Sequence, residues 1–155
     1  MMRINAFSDV SLRVLILLAA APAAAGSGVV TSNALSLAVG TPYHHVTKIV
    51  ARLHELDLIE VTRGRAGGVR ISPAGRQVTV GWVLRALETR TDVADCETPN
   101  GACPLLDGCG LRGALGRARD AFYSELENVV VASLAHQPRL SWPSRTPGST
   151  SLPVR

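Results

Sequence analysis

The sequence predicts a mostly α protein: a winged helix-turn-helix followed by a long C-terminal helix. Three observations carry this. Apolar residues recur at helical spacing through most of the first 56 positions. Two of those helical stretches are separated only by a Gly-Thr-Pro turn at 40–42. Directly after the second lie two short β-prone runs flanking a Gly-rich, Arg-bearing tip.

The first helix is expected over residues 4–21. Phe7, Val10, Val14, Leu17 and Leu18 share one face, Ser8 can cap the start, and Asp9 falls in the first turn, where the helix dipole favours an anion. The run VLILLAAAPAAA at 14–25, preceded by Arg3 and Arg13, resembles a signal peptide. However, Asp9 sits in what would be the basic region, and the run is short of the roughly 20 apolar residues that span a bilayer. It is read as a core helix of an unprocessed chain, ended by Pro22 and Gly26–Gly28. Residues 22–30 read as a loop. A short helix follows at 31–39, capped by Thr31 or Ser32, with Leu35, Leu37 and Val39 available for burial and Gly40 as its stop. Thr41 is expected to cap the next helix, with Pro42 at its first position. This helix runs to about Leu56 and buries Val46, Ile49, Val50 and Leu53.

Strands are expected at 58–61 and 68–71, joined by a wing tip that carries Arg63 and Arg65. Residues 61–76 hold four Arg and no acid. One helix is expected from Pro73 to Glu88, then a loop over 89–109 in which Asp92, Asp95, Glu97 and Asp107, with Glu88 just before them, stand against Arg90 alone. A long helix is expected from Leu111 to about Ala135. The tail at 136–155, with four of the nine Pro, reads as disordered. The chain is thus divided as 1–73 DNA-binding, 74–135 cysteine loop and long helix, and 136–155 tail.

Composition bounds the rest. Of 155 residues, 46% are hydrophobic and only 4% aromatic, so the core must be aliphatic. The net charge is +4, and Lys48 is the only Lys among sixteen basic residues. A disordered chain, a collagen-like fibre and a disulfide scaffold are excluded. No phosphate loop and no catalytic constellation is spaced for chemistry, so no enzyme activity is expected.

A helix about 10–12 Å across fits a major groove about 12 Å wide. The polar face of the recognition helix offers Thr41, Tyr43, His44, Thr47 and Lys48, with Arg52 one turn beyond for the backbone. Arg63 and Arg65 would reach phosphates or a narrow minor groove. Tyr43 has a competing reading as a core residue, and His44 and His45 as plain surface.

The three cysteines, Cys96-x6-Cys103-x5-Cys109, cluster in one loop. An odd, clustered count argues against disulfides and points to the cytoplasm. The spacing is neither a zinc knuckle nor a ferredoxin run, though Cys103-Pro104 echoes the latter. An iron–sulfur cluster, a structural zinc and a metal-free thiol switch all remain open. A metal would need a fourth ligand, with Asp95, Glu97, Asp107 and the four His as candidates.

TPYHHVTKIVARLHELDLIEVTRGRAGGVRIS, AGRQVTVGWVLRALE, DC(x6)CPLLDGC and AFYSEL together resemble the NsrR repressors, in the winged-helix superfamily that includes the iron–sulfur assembly regulator IscR. The similarity runs from about Arg3 to Leu134. It implies a homodimer in which the long helix is the dimerisation helix, and an inverted-repeat operator in double-stranded DNA. It further implies one [4Fe-4S] cluster per subunit, held by Cys96, Cys103 and Cys109 and by Asp9 of the other subunit. The Asp9 assignment follows the pattern Phe7-Ser8-Asp9 with Leu12-Arg13, where Arg13 supports Asp9 from one helical turn away. By the same resemblance, nitric oxide is the signal. Loss or nitrosylation of the cluster would release operator DNA and derepress nitric oxide detoxification genes. The gap of six residues between the first two Cys, where five is common, leaves cluster type open between [4Fe-4S] and [2Fe-2S]. A redox or iron–sulfur-status regulator of the same superfamily is therefore the alternative. A small iron–sulfur electron carrier is an alternative of another class. No membrane partner is expected.

Overall fold

The computed structural model describes residues 4–21, 28–89, 94 and 108–136. The fold is mostly helical with one antiparallel hairpin, and the elements appear in the expected order. Helix α1 spans Ala6–Ala20, α2 Ser32–Val39 and α3 Tyr43–Glu55. Strands β1 (Ile59–Thr62) and β2 (Gly68–Ile71) form the hairpin. Helices α4 (Pro73–Gln77), α5 (Val80–Leu87) and α6 (Gly110–Glu127) follow, and a 3-10 segment closes the described chain at Val131–His136.

Several boundaries differ from the sequence expectation, each for a local reason. The cap of α1 is Asn5, whose side chain accepts from the Ser8 amide, so Ser8 lies inside the helix and is buried. The buried face of α1 is accordingly rotated. Val14, Leu17 and Leu18 are buried as expected, joined by Ser8, Ser11 and Leu15, while Phe7 is 37% exposed. Leu37 of α2 is likewise outward, at 75% exposure, while Leu35 is buried and Ala34 and Val39 pack against the core.

The turn between α2 and α3 is fastened to Ser36, whose hydroxyl donates to the Thr41 carbonyl and whose carbonyl accepts from the Thr41 amide. Gly40 takes the left-handed conformation (φ +64) that stops α2, as expected. Pro42 is extended (ψ 139) and is itself the cap of α3, not its first residue. Thr41 therefore lies outside the helix, and no side chain caps it.

The wing holds more pairing than two strands suggest. Ile59 faces Ile71, Glu60 faces Arg70, Val61 faces Val69 and Thr62 faces Gly68. Val30, within a stretch read as loop, adds a one-residue third strand through two hydrogen bonds with Val69. Gly68 is required there, since a Cβ would meet the Val30 carbonyl oxygen at 2.6 Å.

The helix expected from Pro73 to Glu88 is two helices. Residues 78–80 are drawn out to pair with 129–131: the Val80 amide donates to Val129 and the Val131 amide to Val78. Thr79 then caps α5 by accepting from the Trp82 amide. The same pairing ends α6 at Glu127, so the expected continuous helix to Ala135 breaks into α6 and the 3-10 segment.

One aliphatic cluster runs from Val14 to Val131. It joins α1, α2, α3, the hairpin, α5, Tyr123 of α6 and the 3-10 segment. Helices α5 and α6 cross closely at Gly81, where a Cβ would meet the Glu127 amide nitrogen at 2.7 Å. Beside that crossing Arg85 donates to Glu127 (2.7 Å) and lies over the Tyr123 ring, 4.6 Å from its centre. Burial raises the Tyr123 phenol above its usual 10.0, with Glu88 adding to the shift and Arg85 and Arg119 opposing it, so the phenol is neutral at physiological pH.

Helix α4 seats on the turn that follows α3. Ser72 caps α4 and donates to the Asp57 carbonyl, while Gly75 is buried against Leu58. A Cβ at Gly75 would lie 2.0 Å from the Leu58 carbonyl oxygen. Gly75→Ala is therefore expected to cost about 1–3 kcal/mol by forcing α4 off this seat. A lowered urea midpoint at unchanged slope would confirm it, and an unchanged midpoint would refute it.

Candidate nucleic-acid interface and thiol site

The exposed face of α3 is set by its buried one. Val46, Ile49, Val50 and Leu53 are fixed in the core, which turns Tyr43, His44, Lys48 and Arg52 to solvent and leaves Thr47 half-buried. Tyr43 is 54% exposed, which excludes its reading as a core residue. The rings of His44 and His45 meet edge to face, 4.4 Å between centres. The Thr47 hydroxyl donates to the His44 carbonyl, so its hydrogen is already engaged within the helix. Thr41, in the turn ahead of the helix, is half-buried.

Arg52 is held differently from the rest. It pairs with Glu55 at 3.0 Å and lines an open groove with Asn5, Phe7 and Glu88, toward the start of the cysteine loop. Across that groove Glu88 binds the α1 start twice, accepting from the Asn5 amide (3.1 Å) and from Asn5 Nδ2 (2.8 Å). The end of α5 and the start of α1 are thus fixed to one another.

At the wing tip Arg63 and Arg65 are both exposed, and neither is in an ion pair among the described residues. Arg70 is different: its Nε donates to the Glu60 carboxylate at 2.6 Å across the hairpin. The sequence window 61–76 looked purely basic because Glu60 lies one position before it. Only the strand register shows that this acid faces Arg70.

Of the candidate ligands, Cys96 and Cys103 lie outside the described residues, as do Asp95, Glu97 and Asp107. Cys109 is described: a free, half-buried thiol at the cap position of α6, with no side-chain hydrogen bond to the helix. Asp9 stands on the solvent side of α1. Arg13 grips it with two contacts, at 2.8 Å and 3.2 Å, the expected pairing one turn along the helix. Among the described residues no three His, Cys, Asp or Glu converge on one point.

An exposed α3, a wing whose Arg63 and Arg65 are in no ion pair among the described residues, and a shared aliphatic core define the winged-helix class of DNA-binding proteins. Residues 4–137 match the Rrf2 family, described as iron-dependent transcriptional regulators, and the chain belongs to that family. It is 40% identical over 137 residues to the HTH-type transcriptional repressor NsrR of Streptomyces coelicolor, covering 88% of this chain and 90% of that one. It is 31% identical over 134 residues to the HTH-type transcriptional regulator NsrR of Halalkalibacterium halodurans, with coverage of 86% and 90%.

Solved structures of the same fold include oxidised CymR of Staphylococcus aureus, with a TM-score of 0.68 at 22% identity, covering 88% of this chain and 98% of that one. Another is IscR of T. potens, with a TM-score of 0.65 at 16% identity and coverage of 86% and 85%. The relatives are named as transcriptional regulators, and this chain is a regulator, not an enzyme. Among the described residues no helix is long and apolar enough to cross a membrane.

Proposed function

We propose that this chain is a cytoplasmic, homodimeric repressor that binds an inverted-repeat operator and senses nitric oxide through a [4Fe-4S] cluster. The observation that carries the reading is the pairing of a DNA-competent wing and helix with an uncommitted Cys109 thiol, in a chain 40% identical to a named NsrR repressor. Operator contact would fall to Tyr43, His44, Thr47 and Lys48, with Thr41 at the turn; Arg63, Arg65 and Arg52 would meet the backbone. Cys96, Cys103 and Cys109 would hold the cluster with Asp9 of the partner subunit. When bound, the cluster would supply an iron site that reacts with nitric oxide. Arg13 holds the Asp9 carboxylate in one orientation on the open side of α1, where a second subunit can reach it.

The surface of α6 supports the dimer. Of its 18 residues only Tyr123 is buried. Leu111, Leu115 and Ala118 recur at i, i+4 and i+7, the seam spacing of paired helices, and Leu111 is 67% exposed. Two such subunits would present their α3 helices about 34–36 Å apart, one DNA turn. The alternative [2Fe-2S] regulator shares all of this except the iron count.

The test is anaerobic purification followed by iron and sulfide analysis, with a mobility shift on an inverted-repeat duplex before and after nitric oxide. About four irons and four sulfides per chain, with DNA binding lost on nitric oxide, is the expected result. Two of each would establish the alternative, and stoichiometric zinc or a colourless thiol protein would overturn both.

A further inference from the structure

We infer that Glu60 attenuates the grip of the wing on DNA: it holds Arg70 away from phosphate and so lowers affinity for duplex DNA of arbitrary sequence. The inference rests on the DNA-binding reading above and concerns how tightly that surface grips the wrong DNA.

Five cations lie on the recognition helix and wing: Lys48, Arg52, Arg63, Arg65 and Arg70. They fall into two classes. Lys48, Arg63 and Arg65 are exposed with no ion pair among the described residues, whereas Arg52 is paired with Glu55 and Arg70 with Glu60. The Arg70 pair is the more constrained of the two. The register sets Glu60 directly opposite Arg70, and two guanidinium nitrogens contact the same carboxylate oxygen, Nε at 2.6 Å. Ile59, Val69 and Ile71 are buried, so the alternation of the strands turns Glu60 and Arg70 together onto the hairpin's solvent face.

The energetic case for the pair as a stabilising element is weak. Both side chains are about half exposed, and such surface pairs contribute little to folding. Its electrostatic effect on a polyanion is larger. Non-specific DNA affinity comes almost wholly from phosphate neutralisation, with each contact adding about 0.9 to the slope of log affinity against log salt. An acid beside a basic wing removes one potential contact and adds a repulsion, within a Debye length of about 8–10 Å. Bases read by α3 are unaffected. The pair therefore lowers affinity for all sequences alike, by the phosphate contact it withholds.

The experiment uses Glu60→Gln, Glu60→Gln/Arg70→Gln and, as a control with the same charge change far from the wing, Glu125→Gln on α6. Binding of a mixed-sequence 24-base-pair duplex is followed by fluorescence anisotropy from 50 to 200 mM salt. Glu60→Gln is expected to bind roughly fivefold tighter per subunit near 0.1 M salt, with a slope steeper by about 0.9. The double variant should return toward wild type, and Glu125→Gln should leave affinity unchanged. Equal gains from Glu60→Gln and Glu125→Gln would reduce the effect to net charge and overturn the inference. No gain from Glu60→Gln, in a protein whose wild type binds the duplex with a salt-dependent affinity, would also overturn it. A wild type that binds no duplex at any salt would instead overturn the DNA-binding reading itself.

Discussion

Replacing Arg63 and Arg65 together by Ala is expected to weaken duplex binding by about 10²- to 10³-fold near 0.1 M salt. It should also reduce the salt slope by about 2 per subunit. The expectation follows from their state in the free protein. Both are exposed and in no ion pair among the described residues, so reaching phosphate breaks no such pair. The loss should be nearly the same on operator and on mixed-sequence DNA, because backbone contacts carry no sequence information. Folding should be untouched, since neither side chain enters the core. Anisotropy titrations across salt, with a melting curve for each variant, check all three points. An unchanged slope would remove the wing from the phosphate backbone.

Cys109→Ala is expected to abolish iron binding while leaving the helical content intact. The thiol makes no side-chain hydrogen bond to the first turn of α6, so its removal leaves the helix's own bonds in place. Full helicity by circular dichroism, with iron and sulfide near zero after anaerobic reconstitution, is the expected pair of readings. Asp9→Ala should behave differently, retaining iron but changing the absorption spectrum and the response to nitric oxide. A carboxylate is a hard and weaker partner for iron than a thiolate, so three thiolates can keep the metal. Wild-type iron in Cys109→Ala would move the ligand set elsewhere. A wild-type spectrum in Asp9→Ala would confine that residue to its pair with Arg13.

The sequence by itself determined the order of elements, the α2–α3 turn at Gly40, the buried face of α3 and the position of the wing. These are local matters. Periodicity, a left-handed glycine and a Gly-rich hairpin tip each act over a few residues, and Val46, Ile49, Val50 and Leu53 are all buried as that spacing requires. The pairing of Asp9 with Arg13 was legible for the same reason, being one turn apart on one helix.

What only the tertiary structure decided depends on groups distant in the chain. The break at Val78-Thr79 and the end of α6 at Glu127 are one event, made by backbone pairing between 78–80 and 129–131, and no local propensity records it. Val30 becomes a strand because Val69 has an open edge, and Asn5 caps α1 while also holding Glu88, 83 positions away. The charge on the wing is of the same kind. Residues 61–76 hold four Arg and no acid, yet the hairpin register places Glu60 against Arg70 and, among the described residues, Arg63 and Arg65 are in no ion pair. Helical and turn preferences act between near neighbours, but a charge acts on whatever the fold brings within a few ångströms.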